Sequence, residues 1–82
     1  MALATILSYA QLVTALAARR RALRMTQLQV DFDSGLPDGY TGKIECGVRT
    51  LGNLSMDCLL GALGLEIVVV ERETPETHDK SG

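Results

Sequence analysis

Few side chains in this sequence could do chemistry, and those that could are cations. The single histidine, His78, stands in a polar C-terminal run, and neither Cys46 nor Cys58 has a base beside it. No glycine-rich loop follows a β-branched run, and no His, Cys, Asp or Glu residues gather at a metal-ligand spacing. An enzyme is therefore not expected, nor a metal, nor any other cofactor. Two cysteines are too few for a disulfide scaffold, so they read as free thiols of a cytoplasmic protein. What remains is Arg19, Arg20, Arg21 and Arg24, with Lys43 and Arg49 further on. An arginine offers several donors in a planar fork that fits phosphate oxygens. The same run at a helix C-terminus also suits the negative end of the helix dipole, so both roles stay open.

The elements that must position these cations can be taken from spacing. Tyr9, Leu12, Val13, Leu16, Ala17 and Leu23 follow a helical period over about 5–23. Thr26 and Gln29 make a capping box for a short helix over about 26–33, which Ser34-Gly35 ends. Pro37 suits the first turn of a third helix, about 37–46, with Tyr40, Thr41 and Ile44 facing inward and Gly47 stopping it. A loop over 47–54 leads to Ser55, an N-cap candidate for a fourth helix from Met56 to about Leu63, stopped by Gly64. Leu65, Glu66, Ile67, Val68, Val69 and Val70 read as a strand. No second strand is available to it, so its edge predicts pairing with the same strand of a second subunit. Residues 71–82 read as a disordered polar tail.

These 82 residues make one domain, about 1–70, and its core must be aliphatic because aromatic residues are only 4% of the chain. So short a chain buries only roughly 60% of its unfolded surface, which favours completing the core by dimerising. The N-terminal apolar run is broken by Ser8, Gln11 and Thr14 and has no basic residue ahead of it, so neither a membrane span nor a signal peptide is expected. Residues 1–70 carry six basic and six acidic side chains, and the net charge of −2 comes from residues 71–82. That is a weak electrostatic footprint for a nucleic-acid binder.

The order of helices, and the words they are written in, resemble the helix-turn-helix family of Cro, the lambdoid phage repressors and the xenobiotic-response-element-type regulators. The likeness runs over about residues 12–70 and is carried by Leu16 to Arg20, Met25-Thr26-Gln27, Ser34-Gly35-Leu36, Lys43-Ile44-Glu45-Cys46-Gly47 and Ala62-Leu63-Gly64. It implies an all-α fold of four helices, with the helix-turn-helix at about 26–46 and a C-terminal strand that pairs across a homodimer. It also implies that Gln27 holds a phosphate, that Asp38, Gly39 and Lys43 face base edges in the major groove, and that Tyr40 and Thr41 lie near the DNA backbone. Arg24 and Arg49 are added as phosphate contacts by their charge. Arg20 and Glu45 match a structural ion pair of the family, and Leu65, Ile67, Val68, Val69 and Val70 match the dimerising strand of its antitoxin-like members.

The departures concern charge. Asp31 replaces the family's usual small residue, Asp33 and Cys46 stand where basic residues are common, and Gly39 and Gly42 weaken helix three by roughly 1 kcal/mol each. Within 26–47, Asp31, Asp33, Asp38 and Glu45 face only Lys43, so phosphate binding requires Arg19, Arg21, Arg24 and Arg49 to converge. The expectation is a homodimeric repressor on an inverted-repeat site in double-stranded DNA. The alternative is a protein-binding module on the same fold, an antitoxin or antiactivator that masks a partner protein.

Overall fold

The computed structural model of the chain describes residues 3–72, and over them the molecule is all-helical. Four helices follow in order: α1 (Tyr9–Ala22), α2 (Gln27–Ser34), α3 (Tyr40–Glu45) and α4 (Asn53–Leu63). None is long and apolar enough to cross a membrane. The bulk of the tail, 73–82 with His78, lies outside the described residues.

Each boundary has a local cause. Helix α1 begins later than its apolar spacing suggests, because the Ser8 hydroxyl accepts from Gln11 N at 3.1 Å and fixes the start. The capping box of α2 is as the sequence reads: Gln29 N donates to Thr26 Oγ1 at 3.0 Å, and Thr26 N donates to Gln29 Oε1 at 2.7 Å. Gly35, with φ 72°, ends α2 in the left-handed conformation. Pro37 does not open α3; it lies in the preceding turn, its carbonyl accepting from Tyr40 N. Helix α4 starts at Asn53 rather than Met56. Ser55 is inside it, and its hydroxyl accepts from Gly52 N at 2.8 Å while donating back to Gly52 O at 3.1 Å.

Leu16, Val30, Leu59 and Leu63 form the core, one residue from α1, one from α2 and two from α4. Leu12, Met25, Leu36, Leu51, Leu60 and Leu65 pack round it. Every member of this set except Met25 and Val30 is a leucine, which bears out the aliphatic core. Helix α2 packs on both α3 and α4, and α1 on both as well, so the six-residue α3 is held from two sides. Arg19 locks the far end of α4: its Nε donates to Leu63 O at 2.9 Å, placing a cation on the last turn.

The expected strand is not present. Leu65 continues the α4 cap, its N–H donating to Leu60 O, and Ile67, Val68, Val69 and Val70 run on without helix or strand, with their side chains exposed. The β-branched run is extended-prone, but among the described residues no second strand offers it an edge.

Candidate nucleic-acid interface

The turn between α2 and α3 is built round a buried carboxylate. Asp31 is fully buried on α2, and it accepts hydrogen bonds from Gly39 N (2.8 Å), Thr41 N (2.8 Å) and the Thr41 hydroxyl. Gly39 is the N-cap position of α3 and has no side chain with which to cap it. The cap therefore comes from another helix: Asp31 satisfies the free N–H groups of α3 and sits at the positive end of its dipole. Gly39 has φ 89°, a left-handed conformation that a β-carbon would strain, and this shapes the entry into α3. Thr41 is 4% exposed and its hydroxyl is engaged by Asp31, so it supports α3 from inside and cannot reach a DNA backbone. That bears out Thr41 as inward-facing, corrects its expected place near the DNA backbone, and removes Asp31 from the exposed acids.

Glu45, at the other end of α3, is likewise occupied. Arg20 Nε donates to Glu45 Oε2 at 2.7 Å and Arg20 Nη2 to Glu45 Oε1 at 3.0 Å, a two-pronged pair whose side chains are each 12% exposed. Arg20 Nη1 also donates to Met25 O at 2.9 Å, so one guanidinium ties the end of α1 to α3 and to the α1–α2 turn. The ion pair suggested by the family likeness is in place. Burial pushes the Glu45 carboxyl up, but hydrogen bonds from Arg20 and Gln27, with Arg20 and Arg21 as nearby charges, more than offset this and hold it below its ordinary value. The same pair raises Arg20, chiefly through its hydrogen bond to Glu45.

Gln27, expected on a phosphate, donates its Nε2 to Glu45 Oε1 at 2.8 Å. Its amide crosses α3 at Gly42, where a β-carbon would meet Gln27 Oε1 at 3.0 Å. Gly42 thus makes room for Gln27, an account of that glycine that propensity alone does not give. Asp38, Gly39 and Lys43 are all exposed, as base-edge candidates must be. Arg49 lies over the Tyr40 ring, 4.8 Å from its centroid, which holds a cation beside the first residue of α3. Ser55 and then Arg49 draw the half-exposed Tyr40 phenol below its usual pKa.

The remaining cations divide. Arg19 is committed to α4, whereas Arg21 and Arg24 are exposed. Arg24 has φ 59° and is the one non-glycine residue among the described residues with positive φ; Gly35, Gly39, Gly47 and Gly64 fill the others. A side chain there costs about 1 kcal/mol of backbone strain that glycine would avoid. Asp33 and Asp38 are the acids that stay exposed in this region. Sequence reasoning missed the role of Asp31, although a signal existed: glycine at an N-cap calls for an acceptor from elsewhere.

Cys46 is exposed, Cys58 half-buried, and both are free. Among the described residues no group of three His, Cys, Asp or Glu could hold a metal ion. No protein-family model matches the chain, and neither the curated proteins nor the solved structures include a detectable relative.

Proposed function

We propose that the chain is a sequence-specific binder of double-stranded DNA, a transcriptional regulator of helix-turn-helix type. It acts as a homodimer on an inverted-repeat site, most simply as a repressor. In this reading α2, the turn and α3 form the helix-turn-helix, and α3 enters the major groove. One observation carries it. Two of the four acids of this stretch, Asp31 and Glu45, are paired within the fold, which leaves Asp33 and Asp38 exposed beside the exposed cations Arg21, Arg24, Lys43 and Arg49. Arg49 lies over the ring of Tyr40, the first residue of α3, which sets one of these cations at the start of that helix. Lys43 would donate to guanine and Asp38 accept from cytosine, with Arg21, Arg24 and Arg49 on phosphates.

The test is retention of duplex DNA from immediately upstream of the chain's own gene, followed by fluorescence anisotropy at low and raised salt. Lys43→Ala should cost about 1–3 kcal/mol on the specific duplex and little on a scrambled one. A folded protein that retains no duplex at low salt would end the proposal.

A second reading has its own support on α2, where Leu28 and Phe32, one turn apart, are 57% and 83% exposed. Such a pair suits a protein partner, the antitoxin or antiactivator role. Capture of a protein that survives nuclease treatment and is lost in Phe32→Asp would favour it.

A further inference from the structure

An apolar face is left open where residues 3–7 approach residues 65–70. Residues 3–7 and 65–70 flank an apolar groove of about 540 Å³, floored by Leu12, Ala15, Leu16 and Leu60. Beyond the Leu65 N–H, no backbone hydrogen bond is made by residues 66–72 among the described residues. Ile67, Val68, Val69 and Val70 are all more than half exposed beside it, Val69 at 91%. A row of unpaired peptide groups carrying β-branched side chains is a template for another strand. The 3–7 segment lies alongside without offering it a backbone hydrogen bond.

We propose that this edge is closed by the same segment of a second copy, antiparallel about a two-fold axis, in the register that sets Val69 against Val69 and Glu66 against Arg72. The proposal rests on the homodimer reading above and specifies its interface. With the axis perpendicular to the ribbon, opposed residues must have the same parity, because directly opposed side chains share a face. Few registers then remain. Centring on Ile67 sets Glu66 against Val68, and centring on Val68 sets Glu66 against Val70 and Leu65 against Glu71. Centring on Val70 leaves Arg72 on Val68 and Glu71 on Val69, and centring on Glu71 opposes two carboxylates. Centring on Val69 sets Glu71 on Ile67, but it alone pairs opposite charges, Glu66 on Arg72 at both ends of the ribbon, with Val68 on Val70 between them. Glu66 and Arg72 are both exposed, and neither has an ion-pair partner among the described residues. The charges are therefore self-complementary in one register, and among the described residues nothing else pairs them.

The register is read by cysteine scanning in the Cys46→Ser/Cys58→Ala background. Opposed residues have Cα atoms about 4.5–5.5 Å apart, within disulfide range, so Val69→Cys should oxidise to a covalent dimer while Val68→Cys and Val70→Cys lag well behind. In the otherwise unchanged chain, Glu66→Arg and Arg72→Glu should each raise the dimer Kd roughly tenfold by sedimentation velocity, with helicity by circular dichroism unchanged. The double swap should restore it to within about threefold. A helical protein that stays monomeric, a cross-linking maximum at residue 68 or 70, or a double swap with no rescue overturns the proposal. None of these readouts uses DNA. A monomer that still retains the duplex would sink the ribbon and spare the DNA reading, and a cross-linked dimer that retains none would do the reverse.

Discussion

The α2–α3 turn and the terminal face solve the same problem in opposite ways. Both contain polar groups that the local backbone cannot satisfy: the free N–H groups at the start of α3, and the peptide edge after Leu65. At the turn the molecule supplies its own partner, a carboxylate from α2 that receives three donors in full burial. At the terminal face no partner exists within the described residues, and the apolar side chains are left in water. The difference separates what the fold completes from what it leaves open. At the turn the helix N–H groups find their acceptor within the fold, although the Ser34 hydroxyl beside it is buried without a partner; at the terminal face the peptide groups find none among the described residues.

The strongest way to break that comparison is at Asp31. Asp31→Ala removes the acceptor of three buried donors, and should lower the stability of the folded chain by about 3 kcal/mol in urea unfolding. A loss under about 1 kcal/mol would mean that α3 is not held by this cap. Next comes Glu45. Glu45→Gln should cost about 1–2 kcal/mol at neutral pH, with a distinctive pH dependence. Because the folded carboxyl lies below its ordinary 4.5, its contribution is fully present above that pH and is lost as the pH falls through the lower folded value. The wild-type and Glu45→Gln unfolding midpoints should therefore converge as acid is added below about pH 4.5.

Arg24 sharpens the contrast by setting function against stability. Arg24→Gly relieves a left-handed side chain, so thermal unfolding should stay where it is or rise by up to about 1 kcal/mol, while duplex affinity falls severalfold. A parallel loss of both would make Arg24 structural. The smallest effect is expected on the open face. Val69→Lys, at a position 91% exposed, should change unfolding of the dilute chain by less than about 0.5 kcal/mol.

Much of this was legible in the sequence where a signal is local. The Thr26–Gln29 box and the stops at Gly35 and Gly64 follow from residues within a turn of one another. The Arg20–Glu45 pair came from a family likeness, since nothing in spacing joins residues 25 positions apart. Asp31 was hidden because an aspartate counts as a surface charge until a second helix is folded against it. Ser55 misled by chemistry that is real but reversed: its hydroxyl serves the helix from inside, reaching back to Gly52, rather than from the cap. The strand failed for a different reason: its residues favour extension, but a strand needs a partner, and the described residues supply none.

The borrowed cap of α3 has a consequence for how such a surface can change over time. A helix of six residues has almost no intrinsic stability, and here it is secured by Asp31, Thr41, Ile44 and Glu45, all on its inner side or at its ends. The Asp38 and Lys43 side chains make no hydrogen bond among the described residues, so exchanging them leaves the scaffold unaltered. If the proposed interface is correct, its preferences can change by single substitutions at these two positions without loss of the fold.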